Sequence, residues 1–378
     1  MIKKTIWFII IITTLLFSLT GCYDSNGIED FYYIVALGID KSEKSKIQLS
    51  IQIAKTSNKS EGASSQSSEY KIYTVDCETI DSGISILNNY LNKKVNLSHC
   101  SVFVFSEELA KQGIAEYVNY FANSPETKAN SNLIISSDSA LEVLNKVSNS
   151  GENFSSRLYE YILTSTNYTG YTIDCTFSDF FSKINSKYSQ ATAIYTKVSD
   201  ETIQNSGIAV FKDDKMIGIL SPSETIAHLI ITNNLDSCTI SIDSPFSENS
   251  LIDLNLHKIV SPNIEISLIN NEPIFNIDVE LEGNISNSGN NFDYTKIENI
   301  KLVEQSANNY IEKILELYLY TISKDYNCDI AGFSGILSMK YKTYDDFDKI
   351  HWNDIFQNSV FNVNVKTKIN SSYLFNKE

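Results

Sequence analysis

The chain predicts an α+β, mixed α/β fold of two or three domains. Mixed and antiparallel sheets are covered by helices, and one long helix lies in the C-terminal region. Three observations carry this. Strand-length apolar runs alternate with helical stripes up to about residue 186, which predicts a layered α/β unit. From Ser237 to Ile285 apolar residues recur at every second position, the mark of antiparallel strands with one polar face. Tyr294 to Lys324 contains neither Gly nor Pro and carries Ile300, Val303, Ala307, Tyr310 or Ile311, Ile314, Leu317 and Tyr318 at helical spacing. With 378 residues, 42 % of them hydrophobic, the chain can bury several cores and is not disordered.

The elements follow in order. Phe31 to Ile39 is a continuous apolar run, and Ile47, Leu49, Ile51 and Ile53 alternate with Gln48, Ser50 and Gln52. The two read as a hairpin, the second strand having one wet face. Thr56 to Glu69 is a Ser-rich polar loop. Tyr70 to Val75 is a strand, followed by a helical stripe through Ile80, Ile84, Leu87 and Leu91. Ser101 to Phe105 is a buried strand running into Ser106-Glu107-Glu108, an N-cap with acids where the helix dipole favours them. Leu133 to Ile135 is a third short strand before the capping pattern of Ser139 and Glu142. Two aromatic helical stretches, centred on Tyr159 and Phe180, close this domain.

A strand near Ala191 to Val198 opens the second region. Gly207 to Phe211 and Met216 to Leu220 flank the polar connection Lys212 to Lys215, which predicts a hairpin. Ser221-Pro222-Ser223-Glu224 combines an N-cap, a proline at the first helical position and a capping-box glutamate. After the β-rich stretch and the long helix, Phe361, Val363, Val365 and Ile369 alternate with polar residues in a closing strand. The expected domains are 22–188 and 189–378, the latter divisible into 189–236 and 237–378.

Residues 1–21 read as an export signal: Lys3 and Lys4, an apolar run from Ile6 to Leu19, and small residues before Cys22. The run is shorter than the roughly 18–20 residues a membrane-spanning helix needs. Leu19-Thr20-Gly21-Cys22 resembles a bacterial lipobox, which implies diacylglyceryl attachment to the Cys22 thiol and cleavage before it. The alternative is an ordinary secretory signal followed by a cysteine. The net charge of −16 becomes −18 once Lys3 and Lys4 are removed, because 28 cations then face 46 acids. A body this acidic is no partner for nucleic acid. It would reach an anionic membrane through its lipid and not through a basic patch.

No pattern of established chemistry is present: no phosphate-binding Gly-rich loop, no H-E-x-x-H, no G-x-S-x-G and no Ca²⁺ loop. Ser334 in Gly332-Phe333-Ser334-Gly335 reads as a turn before a helix at Ile336. His99, His228, His257 and His351 lie on different predicted elements and read as edge or surface residues. Glu107-Glu108, Asp213-Asp214 and Asp345-Asp346 read as solvated carboxylates. The cysteines after Cys22 read as buried free thiols, with one disulfide such as Cys77 to Cys100 as the alternative. Neither a metal nor a cofactor is expected.

Cys22-Tyr23-Asp24, Ile28-Glu29-Asp30 and Val35-Ala36-Leu37-Gly38-Ile39-Asp40 together resemble the start of the Ger(x)C family, the lipoprotein C subunits of spore germinant receptors. In the family's order, Gly207 to Gly218 is similar to its central hairpin and Ser223-Glu224-Thr225 to the helix after it. Asp329-Ile330-Ala331-Gly332-Phe333, Trp352 and Val363-Asn364-Val365 are similar to its C-terminal end. The motif residues Asp24, Gly38, Asp40, Gly207, Phe211, Gly218, Glu224, Gly332 and Trp352 are read as structural. The resemblance implies three mixed α/β domains and assembly with polytopic A- and B-type receptor subunits. It places the chain on the outer face of the inner spore membrane in nutrient-triggered germination. It implies no catalysis, and the germinant is not expected to bind this subunit directly. The rival reading is a lipid-anchored extracytoplasmic solute-binding protein, which would need a convergent polar pocket.

Overall fold

The computed structural model describes residues 4–8, 11, 13–14, 27–54, 70–149, 169–199, 202–287 and 296–372. Cys22, Asp24, the Ser-rich loop at 56–69 and the stretch around Tyr159 lie outside the described residues. Strands β1 (Phe31–Lys41) and β2 (Ile47–Ala54) form the expected hairpin, with Lys41 opposite Ile47. β3 (Tyr70–Cys77) pairs antiparallel with β2. Helix α1 (Ile80–Tyr90) starts at Thr79, whose hydroxyl accepts from the Ser82 N–H. A short strand that the periodicity does not reveal, β4 (Lys94–Asn96), pairs parallel with the start of β1.

β5 (Val102–Ser106) runs parallel to β1 and is buried throughout, as a strand covered on both faces must be. The helical segment after it is broken in two at Gly113, giving α2 (Glu107–Gln112) and α3 (Ala115–Ala122). β6 (Asn132–Ser136), α4 (Ala140–Asn149), α5 (Phe177–Ile184) and β7 (Thr192–Val198) follow; β6 and β7 continue the parallel part of the sheet. β8 (Ile203–Lys212) and β9 (Lys215–Leu220) then finish it as an antiparallel meander. The strand order is β3-β2-β1-β5-β6-β7-β8-β9. The division expected at residues 188/189 therefore falls between α5 and a strand that hydrogen-bonds into the same sheet. The change of sheet comes only after α6 (Pro222–Ile231).

The wet face expected on β2 is corrected. Gly38 stands opposite Ser50, and α4 packs on that face so closely that a Cβ on Gly38 would lie 3.0 Å from the Ala140 Cβ. Ser50 and Gln52 are fully buried beneath it, and the Ser50 hydroxyl is 3.2 Å from that of Thr74.

The second sheet contains β10 (Cys238–Asp243), β11 (Leu251–Ile259), β12 (Asn263–Ile269) and β13 (Glu272–Asn287) in the order β10-β11-β13-β12. β13 is long enough to pair with β12 along its first half and with β11 along its second. The long helix α7 (Ile297–Tyr320) lays Val303, Ala307, Ile311, Leu315 and Tyr318 into the core and passes into a single π-turn at Thr321–Asp325. Three short helices, α8 (Phe333–Ser338), α9 (Tyr344–Asp348) and α10 (Trp352–Ile355), lead to β14 (Val360–Ser372). β14 runs parallel to β13, and Phe361 stacks on Phe275 with ring centroids 4.6 Å apart.

Candidate functional site

The polar residues that tie distant segments together concentrate where the first sheet hands over to the second, around α6 and the end of α7. The capping box forms as the sequence predicts. Glu224 Oε2 accepts from the Ser221 N–H at 2.9 Å, and the Ser221 hydroxyl accepts from the Glu224 N–H. The other carboxylate oxygen, Oε1, accepts from the Thr321 hydroxyl at 2.7 Å, so one side chain both starts α6 and holds the end of α7.

One turn further along α6, His228 is buried, which corrects its reading as an edge or surface residue. Its Nδ1 lies 2.8 Å from the Tyr318 hydroxyl. Tyr318 is fully buried, and its hydroxyl has no other partner among the described residues. The phenolic proton therefore goes to Nδ1, and the imidazole proton sits on Nε2. Burial, and then the positive charge of Lys183, push the imidazole down to about 3, so it is neutral at any ordinary pH. A sequence signal for this exists: His228 lies between Ile226-Ala227 and Leu229-Ile230-Ile231, and a helix apolar all round is a buried one.

Behind the end of α7, Asp329 is a hub. It is buried and accepts from the N–H of Phe333 at 3.0 Å, from that of Ser334 at 2.7 Å and from the Trp352 indole N–H at 3.0 Å. Burial raises its carboxyl above the usual range, against the pull of those donors. Gly332 takes φ +76° just before α8, which lets the chain turn both amides onto Asp329. Ser334 is buried within α8 and uses its N–H here, so it belongs to the helix and not to a turn before one starting at Ile336.

The hairpin residues serve the same junction. Gly207 has φ +112°, and a Cβ there would run into the Leu220 carbonyl oxygen. Gly218 lies under the Tyr326 ring, whose hydroxyl donates to the Ile219 carbonyl and accepts from the Ile219 N–H. Phe211 packs edge-on against Phe180, with centroids 4.9 Å apart. The Asp213-Asp214 turn is more than solvated carboxylate: the Asp214 carboxylate accepts from the Ala115 N–H and its backbone carbonyl from the Ile114 N–H, at the start of α3. At the far side of the first sheet, Asp40 accepts from the N–H groups of Ala140 at 2.6 Å and Leu141 at 3.0 Å, starting α4 from 100 residues away.

This arrangement holds segments together. Cys77, Cys100, Cys175, Cys238 and Cys328 are all buried free thiols. Burial pushes Cys100, Cys175, Cys238 and Cys328 up to about 12, far from a nucleophilic thiolate. Among the described residues no group of His, Cys, Asp and Glu is placed to hold a metal ion, and no helix is long and apolar enough to cross a membrane.

Comparison with known proteins agrees with this architecture. The family model described as "Spore germination protein N-terminal domain" matches residues 24–198, and "Spore germination B3/ GerAC like, C-terminal" matches residues 206–373. Three Bacillus subtilis (strain 168) proteins are similar along nearly the whole chain. The putative spore germination protein YfkR is 20 % identical over 94 % of both chains. Spore germination protein YndF is 24 % identical over 96 % of both, and spore germination protein B3 is 22 % identical over 94 % of this chain and 95 % of its own. The crystal structure of the GerBC protein superposes with a TM-score of 0.59 at 16 % identity, covering 89 % of this chain and 97 % of the other, and thus shares the fold. With both halves matched in order and the fold shared over 89 % of the chain, it belongs to the GerAC-like family of spore germination proteins, the C-subunit-like family of germinant receptors.

Proposed function

We propose that this protein is the lipid-anchored, non-enzymatic C subunit of a spore germinant receptor, assembling with polytopic A- and B-type subunits on the outer face of the inner spore membrane. The observation that carries the proposal is the family match, which runs in order through both halves from residue 24 to residue 373. The lipobox-like Leu19-Thr20-Gly21-Cys22 supports the anchor, since it stands immediately before the folded body. The packing supports a binding role: Gly38, Asp40, Gly207, Phe211, Gly218, Glu224, Gly332 and Trp352 are all spent on fixing the two sheets and their helices. The first sheet hands over to the second through the meander of β7 to β9 and α6, and the membrane subunits would dock on the body so formed.

The deciding experiment is affinity purification from spore membranes in mild detergent. Two polytopic receptor subunits should copurify with the tagged chain, and recovery of the chain alone would refute the assembly. Separately, Cys22→Ala should abolish lipid labelling and release the chain from the membrane fraction. Retention of the variant with residues 1–21 uncleaved would refute the anchor.

A further inference from the structure

The two ends of the first sheet use their lysines differently. At the end that carries the turn between β1 and β2, lysines meet glutamates: Lys41 reaches Glu108 at 2.7 Å, Lys46 reaches Glu116 at 2.5 Å, and Lys111 pairs with Glu107. At the opposite end, where β1 and β3 begin, Lys71, Lys93 and Lys94 have no ion pair among the described residues. Two of them lie against tyrosine rings instead. Lys93 Nζ is 5.6 Å from the Tyr32 centroid, and Lys71 Nζ is 4.5 Å from that of Tyr73.

The strands bring these residues to one place. Ile34 on β1 stands opposite Ile53, which stands opposite Lys71 on β3, and Lys94 on β4 stands opposite Phe31. The Tyr32 hydroxyl donates to the Asn92 side chain at 2.6 Å, beside Lys93, and Lys71 is within electrostatic reach of the same phenol. Helix α1 ends here too, and Tyr90 lies with its ring centroid 6.5 Å from that of Tyr73. Tyr90 and Ile86, one helical turn apart, are 52 % and 40 % exposed. Of the acids near by, Asp30 is turned onto the Gly27 N–H and Glu126 onto the Leu97 N–H.

This end is also the one beside Cys22. Gly27, which leads into β1, stands five positions after Cys22, so at about 3.5 Å each the connection spans roughly 18 Å at most. Glu43, in the turn at the other end, is a further 11-residue strand away, about 35 Å.

We propose that this end of the first sheet lies on the phospholipid headgroups of the anchoring membrane, with Lys71, Lys93 and Lys94 on lipid phosphates and Tyr32, Tyr73 and Tyr90 in the interfacial layer. Lysine stems and tyrosine rings suit that layer, since each joins an apolar body to a polar tip. The rest of the body carries the excess of 46 acids over 30 cations and is repelled by anionic lipid, so the same field that draws this end down turns the other away. The inference rests on the anchor at Cys22, which brings this end to the bilayer. The lipid holds the body, and the lysine–tyrosine end sets which way it stands.

The test uses the full-length product isolated from membranes and reconstituted into vesicles of phosphatidylglycerol and phosphatidylcholine bearing a headgroup nitroxide. The thiols after Cys22 are buried, so a bimane can be placed on Asn89→Cys or Glu43→Cys, both exposed positions. The label at 89, beside Tyr90, should be strongly quenched by the lipid nitroxide, and the label at 43 hardly at all. Lys71→Gln with Lys93→Gln and Lys94→Gln should shift the balance between the lipid-facing and free orientations about tenfold or more toward the free one. Vesicles of phosphatidylcholine alone should weaken the quenching in the same way. Equal quenching at the two positions, stronger quenching at 43, or indifference to the three lysines would each overturn the proposal. Protection of position 89 only when the membrane subunits are present would give the face to a protein and overturn it as well. The mass of the N-terminal peptide reads acylation of Cys22 separately, so the anchor and the orientation can each fail without the other.

Discussion

Replacing His228 by Gln tests the junction where its physics is most quantitative. The unfolded chain protonates a histidine near 6.5, whereas the buried ring holds off its proton until about 3. The folded pKa is therefore depressed, so the stabilisation is complete above 6.5 and is lost as pH falls toward 3. Linkage gives about 2 kcal/mol lost between pH 7 and pH 5, about 3 kcal/mol by pH 4, and a limit between about 4 and 5 kcal/mol. Asp40 and Asp329 act in the opposite sense, since burial raises both, and stability tied to a raised carboxyl is present at low pH and lost as pH rises. They are unchanged in the variant and cancel on subtraction. Urea unfolding of wild type and His228→Gln at pH 7, 6, 5 and 4 isolates the histidine. The amide does not titrate, so the variant is less stable at pH 7 yet loses less on acidification, and the two curves converge by about 3 kcal/mol by pH 4. Tyr318→Phe should give an intermediate slope, because Nδ1 then loses the donor that favours the neutral ring. Parallel curves from pH 7 to pH 4 would show that the ring titrates freely and that the buried pair has been misread.

Gly207→Ala combines a left-handed backbone with a collision against the Leu220 carbonyl, so it should cost more than about 3 kcal/mol, read as a fall in the denaturant midpoint. A loss under about 1 kcal/mol would mean that the hairpin can relax there. Asp329→Ala orphans three buried donors at about 1–3 kcal/mol each, partly offset by removal of a buried carboxylate, for a net loss of about 3–5 kcal/mol. Asp329→Asn keeps an acceptor oxygen and should lose less; equal losses would count against the hub. Combined alanine substitution of Glu304, Asn308 and Glu312 should leave the fold intact but produce concentration-dependent association in sedimentation, because the edge of β14 is then open. A monomeric variant would remove that role from the helix.

What the sequence made legible is what depends on neighbours in the chain. The Ser221 capping box, the hairpin of β1 and β2, the alternation through β10 to β13 and the span of α7 rest on local chemistry within a few residues. The features missed are those in which a distant segment changes the meaning of a local pattern. Gln48, Ser50 and Gln52 spell a solvent-facing stripe, but α4 lies across it. β4 has only three residues and owes its existence to the edge that β1 offers it. The resemblance marks Asp40 as structural and Asp329 as part of a motif, but what they hold is not legible, since the amides that Asp40 accepts from are 100 residues away and those that Asp329 accepts from belong to the next helix.

Helix α7 makes the same point most fully. Its apolar stripe predicts that it covers a sheet, and by that reading Glu304, Asn308 and Glu312 belong to the solvated side. In the structure they form a ladder at four-residue spacing along the open edge of β14. Glu304 accepts from the Ile369 N–H at 2.9 Å, Asn308 from Thr367 at 2.7 Å and Glu312 from Val365 at 3.4 Å. Four helical residues rise about 6 Å and two strand residues about 6.6 Å, so a helix antiparallel to a strand can follow alternate amides for three steps before the mismatch accumulates. The helix thereby does for β14 what another strand would do, and β14 is spared an exposed row of donors. Further along, the same helix fixes His228 through Tyr318, and the π-turn at its end fixes Glu224 through Thr321. One element thus closes the second sheet and clasps α6, the helix that leads out of the first. The coupling of the two halves in this fold runs through α7 and the segment just after it, where Tyr326 grips Ile219 and the Cys328 thiol donates to the Phe211 carbonyl, and not through a shared strand.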